Sequence, residues 1–245
     1  MLAASNSPIS KIDGQMNNTS TIILACLIGA IYPIYIVATH QKANNNIRQN
    51  EKYRLIDYQK TLFIFWGLTL LILFNFIAYK QPDLNFKPTL SLINLGLMIL
   101  ILGFAYFQYR ASKITPNDTN PIIEKLKDVY HYLPKSDKEL KWFMFLSISA
   151  GICEEIIFRL FLFEFLKESV NLIIAFTVTN LIFAVTHIGS GKNNLLSSFI
   201  LGLLFSAIYY FTDNIWIAII LHISIDVNAG ILGYRVNKLT KNKMK

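Results

Sequence analysis

Apolar residues of this chain run in long blocks separated by short polar segments. Seven blocks carry little or no charge, at 21–39, 61–79, 88–109, 141–166, 171–187, 195–211 and 214–234. A helix needs about 20 apolar residues to cross a bilayer. One such block could be a buried helix of a soluble protein, but seven leave too little polar chain to cover them. The pattern predicts an all-α, polytopic membrane protein with about seven transmembrane helices.

Composition supports a lipid environment. Of 245 residues, 53% are hydrophobic and 16% are charged, whereas about 25% are charged in an ordinary soluble domain. The net charge of +8 could suit nucleic acid, but the basic residues lie in the gaps between blocks. We therefore expect the lipid bilayer as a partner and no nucleic acid. Two cysteines, Cys26 and Cys153, give no disulfide framework.

The basic residues also predict an orientation, because Lys and Arg favour cytoplasmic loops. With the N-terminus outside, 18 of the 22 Lys and Arg residues in the tails, the loops and at the block ends fall on the cytoplasmic side. The prediction is a multi-pass protein of the cell membrane with a cytoplasmic C-terminus. Residues 1–20 are polar and lack the features of a cleavable signal peptide, so the first block is expected to remain as a span.

The segment 121–141 mixes apolar and charged residues. Its apolar positions recur at helical spacing, at Ile122, Ile123, Leu126, Val129 and Tyr130. This predicts a short helix on the cytoplasmic membrane surface, with a solvated linker as the alternative. The predicted organisation is an N-terminal membrane region at 1–140, a catalytic domain at 141–235 and a basic tail at 236–245.

Candidate chemistry begins in the fourth block, where Glu154, Glu155 and Arg159 interrupt an apolar helix. Ionisable groups at such depth are costly and usually functional. Glu155 and Arg159 are spaced i, i+4 and can pair, whereas Glu154 points about 100° away from Glu155. An ion pair that only locks helices together would explain Glu155 and Arg159, but it leaves Glu154 without a role.

Two further blocks add reactive side chains. His187 ends the fifth block, and His222 and Asp226 share a face of the seventh at i, i+4. A lone intramembrane histidine is usually a satisfied hydrogen-bonding group. Here carboxylates and imidazoles cluster in the last four blocks, which predicts a cavity formed by the last four helices.

These residues form three motifs in series: Glu154-Glu155-x-x-x-Arg159, Phe183-x-x-x-His187 and His222-x-x-x-Asp226. The series resembles the signature of the CPBP family, which includes CAAX proteases and bacteriocin-processing enzymes. The resemblance covers about 141–234. It implies a helical membrane endopeptidase in which Glu154 activates a water and the two motif histidines bind or polarise the substrate carbonyl.

One position departs from the family, whose members often carry Asn where this chain has Asp226. An ionised Asp cannot donate a hydrogen bond to an oxyanion. Asp226 is therefore expected to be protonated, to orient His222, or to hold a metal.

Cofactor use stays open from the residues alone. His187, His222, Glu154 and Asp226 could hold a divalent metal such as zinc. The His-Glu-x-x-His spacing is absent, however, and the same side chains suit a metal-free, glutamate-dependent mechanism, which we favour.

The expected function is cleavage of a peptide or protein, such as a CAAX protein, leader peptide, pheromone or bacteriocin. Bacteriocin self-immunity, with or without proteolysis, is the alternative. A transporter that uses the buried carboxylates is disfavoured because no internal repeat is visible.

Overall fold

The computed structural model describes residues 19–78 and 85–243. Eight helices of seven or more residues build this part of the chain. They are α1 (Thr19–Gln49), α2 (Lys52–Ala78), α3 (Leu92–Ala111), α4 (Thr119–Lys125), α5 (137–169), α6 (Leu172–Thr186), α7 (Lys192–Thr212) and α8 (Ile215–Lys243). Two of them contain π-helical turns, α1 at Leu27–Ile31 and α5 at Ile156–Phe163.

Polar residues in the gaps between blocks fix the helix ends. The side chains of Ser91, Ser136 and Asn171 accept hydrogen bonds from backbone N–H groups in the first turns of α3, α5 and α6. Each thus satisfies a donor that the helix itself leaves unpaired. Helix α7 ends at Asp213 in the left-handed conformation, with φ of 48°. The polar segments of the sequence therefore act as helix caps as well as loops.

The predicted all-α, polytopic fold is confirmed, since the described residues contain no strand and each predicted block contains a helix within them. Within 19–78 and 85–243, five helices are long and apolar enough to cross a membrane: α1, α2, α3, α7 and α8. The remaining two blocks form α5, which carries charges, and α6, which has only 15 residues. Seven spans therefore stay a prediction, as does the orientation of the termini.

The segment 121–141 is less helical than expected. Helix α4 ends at Lys125, and turns follow up to residue 132. Leu126, Val129 and Tyr130 are half-buried and pack against the main core. Arg54 holds the segment, because its Nε donates to the carbonyl of His131 at 2.8 Å. A place on the membrane surface and the division at residue 140 stay predictions.

Helix α5 lies at the centre of the bundle and packs against α2 and α8. Helices α5 and α8 approach closely at Gly151, where a Cβ atom would lie 2.5 Å from Ile223 Cγ1. The outer surfaces are apolar, with Phe63, Leu92 and Phe211 each at least 80% exposed. An apolar exterior of this kind suits lipid rather than water.

Some sequence-based predictions fall on residues 1–18, 79–84 and 244–245, which lie outside the described part. They concern most of the polar N-terminal stretch, the end of the second block and the last residues of the basic tail.

Candidate active site

All six predicted site residues come together between α5, α6 and α8. Oε2 of Glu154 lies 3.5 Å from Nε2 of His222 and 4.0 Å from Nε2 of His187. Oδ2 of Asp226 lies 3.6 Å from Nε2 of His222. Glu154 thus lies close to residues that are 33 and 68 positions further along the chain.

The two glutamates have different surroundings. Glu155 is fully buried, and its Oε1 accepts a 3.2 Å hydrogen bond from Arg159. The π-helical turn begins directly after Glu155, and its wider turn helps to bring residue i+4 above residue i. The predicted i, i+4 pair is therefore present in the structure. Glu154 points instead towards the two histidines.

His222 is held on both sides. Its Nδ1 lies 2.8 Å from Oε1 of Glu155, and its ring stacks on Phe205 with the centroids 4.8 Å apart. Because Glu155 pairs with Arg159 and acts as an acceptor, Nδ1 of His222 carries the proton of this bond. The other nitrogen, Nε2, then faces Glu154 and Asp226.

His187 reaches the site because α6 is short. From the sequence, His187 is only five residues before Lys192 and would lie nearer the membrane surface than Glu154. Helix α6 ends at Thr186, however, and a 3₁₀ turn at Ile188–Ser190 follows. Nδ1 of His187 lies 2.9 Å from the carbonyl oxygen of Phe183, which can only accept. Nε2 of His187 is thereby left facing Glu154.

Arg159 is anchored by residues that the sequence analysis did not single out. Its guanidinium donates to Asn180 Oδ1 at 3.3 Å and to the Gly202 carbonyl at 3.0 Å. It also lies over the ring of Phe183, 4.5 Å from the centroid, a favourable cation–π arrangement. Apart from Asn171, which caps α6, Asn180 is the one carboxamide in the fifth apolar block. The sequence could therefore have indicated it. Phe205, by contrast, is one apolar residue among many.

A cavity of ≈ 290 Å³ reaches the site. Glu154, His187 and Asp226 line it together with residues from the first half of α5. The opposite wall comes from 32–44 of α1 and 57–65 of α2. The expectation that the last four helices form the cavity is wrong in part, because α1 and α2 supply one wall and no described side chain of α7 lines it. All of these segments lie towards the helix ends joined by residues 50–51 and 112–136, so the cavity lies on that side of the bundle.

His131 lies in the wall of this cavity, outside the membrane-spanning helices. Its Nε2 is 3.1 Å from Asn44 Oδ1, and Asn44 donates to the Gly189 carbonyl at 2.7 Å. Partial burial lowers the pKa of His131, and the positive charges of Arg48 and Arg54 lower it further. The neutral ring therefore belongs to a chain of contacts that ends two residues after His187.

The residues do not form a ready metal site. Within 19–78 and 85–243, no three His, Cys, Asp or Glu side chains form a group that could hold a metal ion. We therefore derive no step through a metal.

The helical membrane fold and the buried carboxylate–imidazole cluster are features that an intramembrane protease requires. Residues 136–228 match the family of type II CAAX prenyl endopeptidases described as Rce1-like, which confirms the resemblance to the CPBP family. The match contains all three motifs. Neither the curated proteins nor the solved structures contain a significant match.

Proposed function

We propose that this protein hydrolyses a peptide bond of a peptide or protein substrate with a water molecule activated by Glu154. The observation that carries the proposal is the convergence of Glu154 Oε2 with Nε2 of His222 and of His187, at 3.5 and 4.0 Å. Two hydrogen bonds of about 2.8 Å that meet at one oxygen can bridge either separation. A single water or carbonyl oxygen can thus contact a base and an imidazole together.

The charges of the site support definite roles. Glu155 is balanced by Arg159, and the remaining carboxylate, Glu154, is balanced by a protonated His222. The Nδ1–H of His222 binds Glu155, and its Nε2–H points towards Glu154 and Asp226, which line the cavity, so that it can stabilise the oxyanion there. His187, with its proton on Nδ1, offers the Nε2 lone pair to orient the attacking water.

The reaction balances with these groups alone. The water oxygen adds to the carbonyl carbon while Glu154 takes one proton from the water. The tetrahedral intermediate then collapses, the C–N bond breaks, and the leaving amine takes the proton from Glu154. The products are a carboxylic acid and an amine, and Glu154 is again ionised.

Asp226 has a different role from Glu155 in this scheme. The orienting hydrogen bond to His222 already comes from Glu155, at 2.8 Å. Asp226 instead lines the cavity, with 35% of its side chain exposed. In its protonated form it donates a second hydrogen bond to the oxyanion, the role that an Asn would fill without needing a proton.

The cavity also supports a substrate of mixed character. Aromatic residues Tyr32, Tyr35 and Phe65 line it beside the polar Asp57 and Lys60. Such a wall suits an extended peptide with large apolar groups next to the scissile bond, as a CAAX-type or leader peptide has. The position of the cavity supports approach from the side of 112–136, which the orientation prediction makes cytoplasmic.

The test is peptide cleavage by the purified full-length chain in lipid vesicles. Wild type and Glu154→Gln are incubated with a mixture of CAAX-type, leader and pheromone-like peptides, and the products are identified by mass spectrometry. We expect defined cleavage sites for wild type and none for the variant. Equal cleavage by both would remove Glu154 from the chemistry. No cleavage by either, with specific peptide retention, would favour a binding role such as immunity.

A further inference from the structure

A second pocket lies away from the active site, where the C-terminal ends of α3 and α8 meet. Its volume is ≈ 380 Å³, and its lining consists of Lys113, Ile114, Arg235, Lys238, Leu239 and Asn242. Three of these six side chains are cationic and none is acidic. The mechanism proposed above uses none of them.

The cations are held close together. Lys113 Nζ and Arg235 Cζ lie 5.3 and 5.2 Å from the centroid of the same ring, that of Tyr109. Arg235 also donates to Ser112 Oγ at 2.5 Å. Within the described part of the chain, none of Lys113, Arg235 and Lys238 forms an ion pair. Like charges on one ring repel, so a bound anion would stabilise this arrangement.

The surroundings point to a lipid as the source of that anion. Helices α3 and α8 are both long and apolar enough to cross a membrane, and the pocket lies at their ends. A helix that spans the bilayer ends at the depth of the lipid headgroups. Above the pocket, α3 presents exposed apolar side chains, among them Tyr106 at 65% and Phe107 at 67%. Acyl chains can pack there while the headgroup occupies the basic pocket.

We propose that this pocket binds the phosphate of an anionic phospholipid, which joins α3 to α8. Helix α3 has little other support, since only 11% of its apolar window is buried and α8 is its main packing partner. A lipid phosphate in contact with Lys113 after α3 and with Arg235 and Lys238 on α8 would tie the two helices together. Basic pockets between transmembrane helices recognise anionic headgroups in this way.

Lipid binding to the purified full-length chain tests the proposal. Native mass spectrometry would measure apparent affinities for phosphatidylglycerol and phosphatidylcholine with identical acyl chains. The test variant is Lys113→Gln with Lys238→Gln, which leaves the Arg235–Ser112 bond intact. The matched control is Lys125→Gln with Lys138→Gln, which removes two exposed charges elsewhere. Arg235→Lys keeps the charge and should keep binding.

We expect wild type and control to prefer phosphatidylglycerol. In the test variant that affinity should fall about fivefold for each cation removed, while phosphatidylcholine binding should not change. Equal phosphatidylglycerol affinity in test and control variants would overturn the proposal. Inorganic phosphate or glycerol phosphate that competes as well as the lipid would also overturn it, because the site would then be one for free phosphate.

Discussion

His222 and Glu155 are joined by a 2.8 Å contact between Nδ1 and Oε1, deep inside the bundle. The same carboxylate oxygen accepts from Arg159. The two adjacent glutamates thereby have separate tasks. Glu155 holds the imidazole ring of His222 and the guanidinium of Arg159, whereas Glu154 faces the cavity. Replacing each with its neutral isostere should therefore give different results.

Glu154→Gln should reduce peptide cleavage by roughly 10²–10⁴-fold, because the general base is lost, while the melting temperature stays near that of wild type. Glu155→Gln should reduce both the peptide cleavage and the melting temperature. It leaves the buried Arg159 without its counter-charge, which costs about 3–5 kcal/mol. Cleavage assays and thermal unfolding in the same detergent measure both quantities. Equal loss of stability in the two variants would contradict the separate tasks.

Gly151→Ala tests the close approach of α5 to α8. The new Cβ would lie 2.5 Å from Ile223 Cγ1 and 3.1 Å from the Ile223 backbone nitrogen. Helix α8 must move to relieve this contact, which costs about 1–3 kcal/mol and shifts His222 away from Glu154. A displacement of about 1 Å can reduce the rate 10²-fold.

Gly67→Ala is the matched control, since nothing lies within 4 Å of a Cβ there. It should leave cleavage unchanged and stabilise α2 slightly, because alanine favours a helix over glycine. An active, stable Gly151→Ala protein would show that the close approach is not needed.

Asp226→Asn should retain activity and extend it to higher pH, because the amide donates a hydrogen bond without needing a proton. The measurement is a pH–activity profile for both proteins, with and without a chelator. A loss of roughly 10–100-fold would instead indicate that the negative charge is required, as for a residue that supports a metal ligand. Activity that a chelator removes and zinc restores would replace the metal-free mechanism.

Acid should destabilise the protein partly through His131. Its pKa is lowered in the folded state below the ordinary 6.5, so the unfolded chain binds the proton more readily. Its contribution to stability is present above pH 6.5 and is lost as the pH falls towards the folded-state pKa. Melting temperature measured between about pH 8 and 5 should decline less steeply in His131→Gln than in wild type. Parallel curves would contradict this contribution.

The orientation prediction is tested with reporters. With 18 of 22 loop and tail cations on one side, a reporter fused after Lys245 should give a cytoplasmic signal and one before Met1 an external signal. A cytoplasmic signal at both ends would require an even number of spans. Since α6 has only 15 residues, it is the helix whose crossing this experiment examines most directly.

Much of the fold and site could be predicted from sequence because its physical cause is local. Long apolar blocks require helices, and the polar gaps supply caps such as Ser136 and Asn171. The motif residues were found because a charge or an imidazole in an apolar block is costly without a function. Their i, i+4 spacing also placed Glu155 with Arg159 correctly.

Other features depend on contacts between distant segments and leave no local pattern. Arg54 was one basic residue among five in its loop region, yet it is buried and its NH1 lies 2.7 Å from Glu139. The turns after Lys125 follow from packing, since Leu133 fills the space against Gly233 on α8. Helical spacing alone could not show that this tertiary contact replaces a longer helix.

The wall of the cavity facing the carboxylates has an evolutionary consequence. That wall belongs to α1 and α2, whereas the family match begins only at residue 136. In the proposed mechanism, the residues that break the bond and part of the wall that would contact the substrate are therefore encoded in separate stretches of the gene. Changes at positions such as Tyr32, Thr39 or Thr61 can alter which peptide fits without disturbing the hydrolytic residues. A duplicated copy of this protein could acquire a new target while its catalytic half stays under unchanged selection.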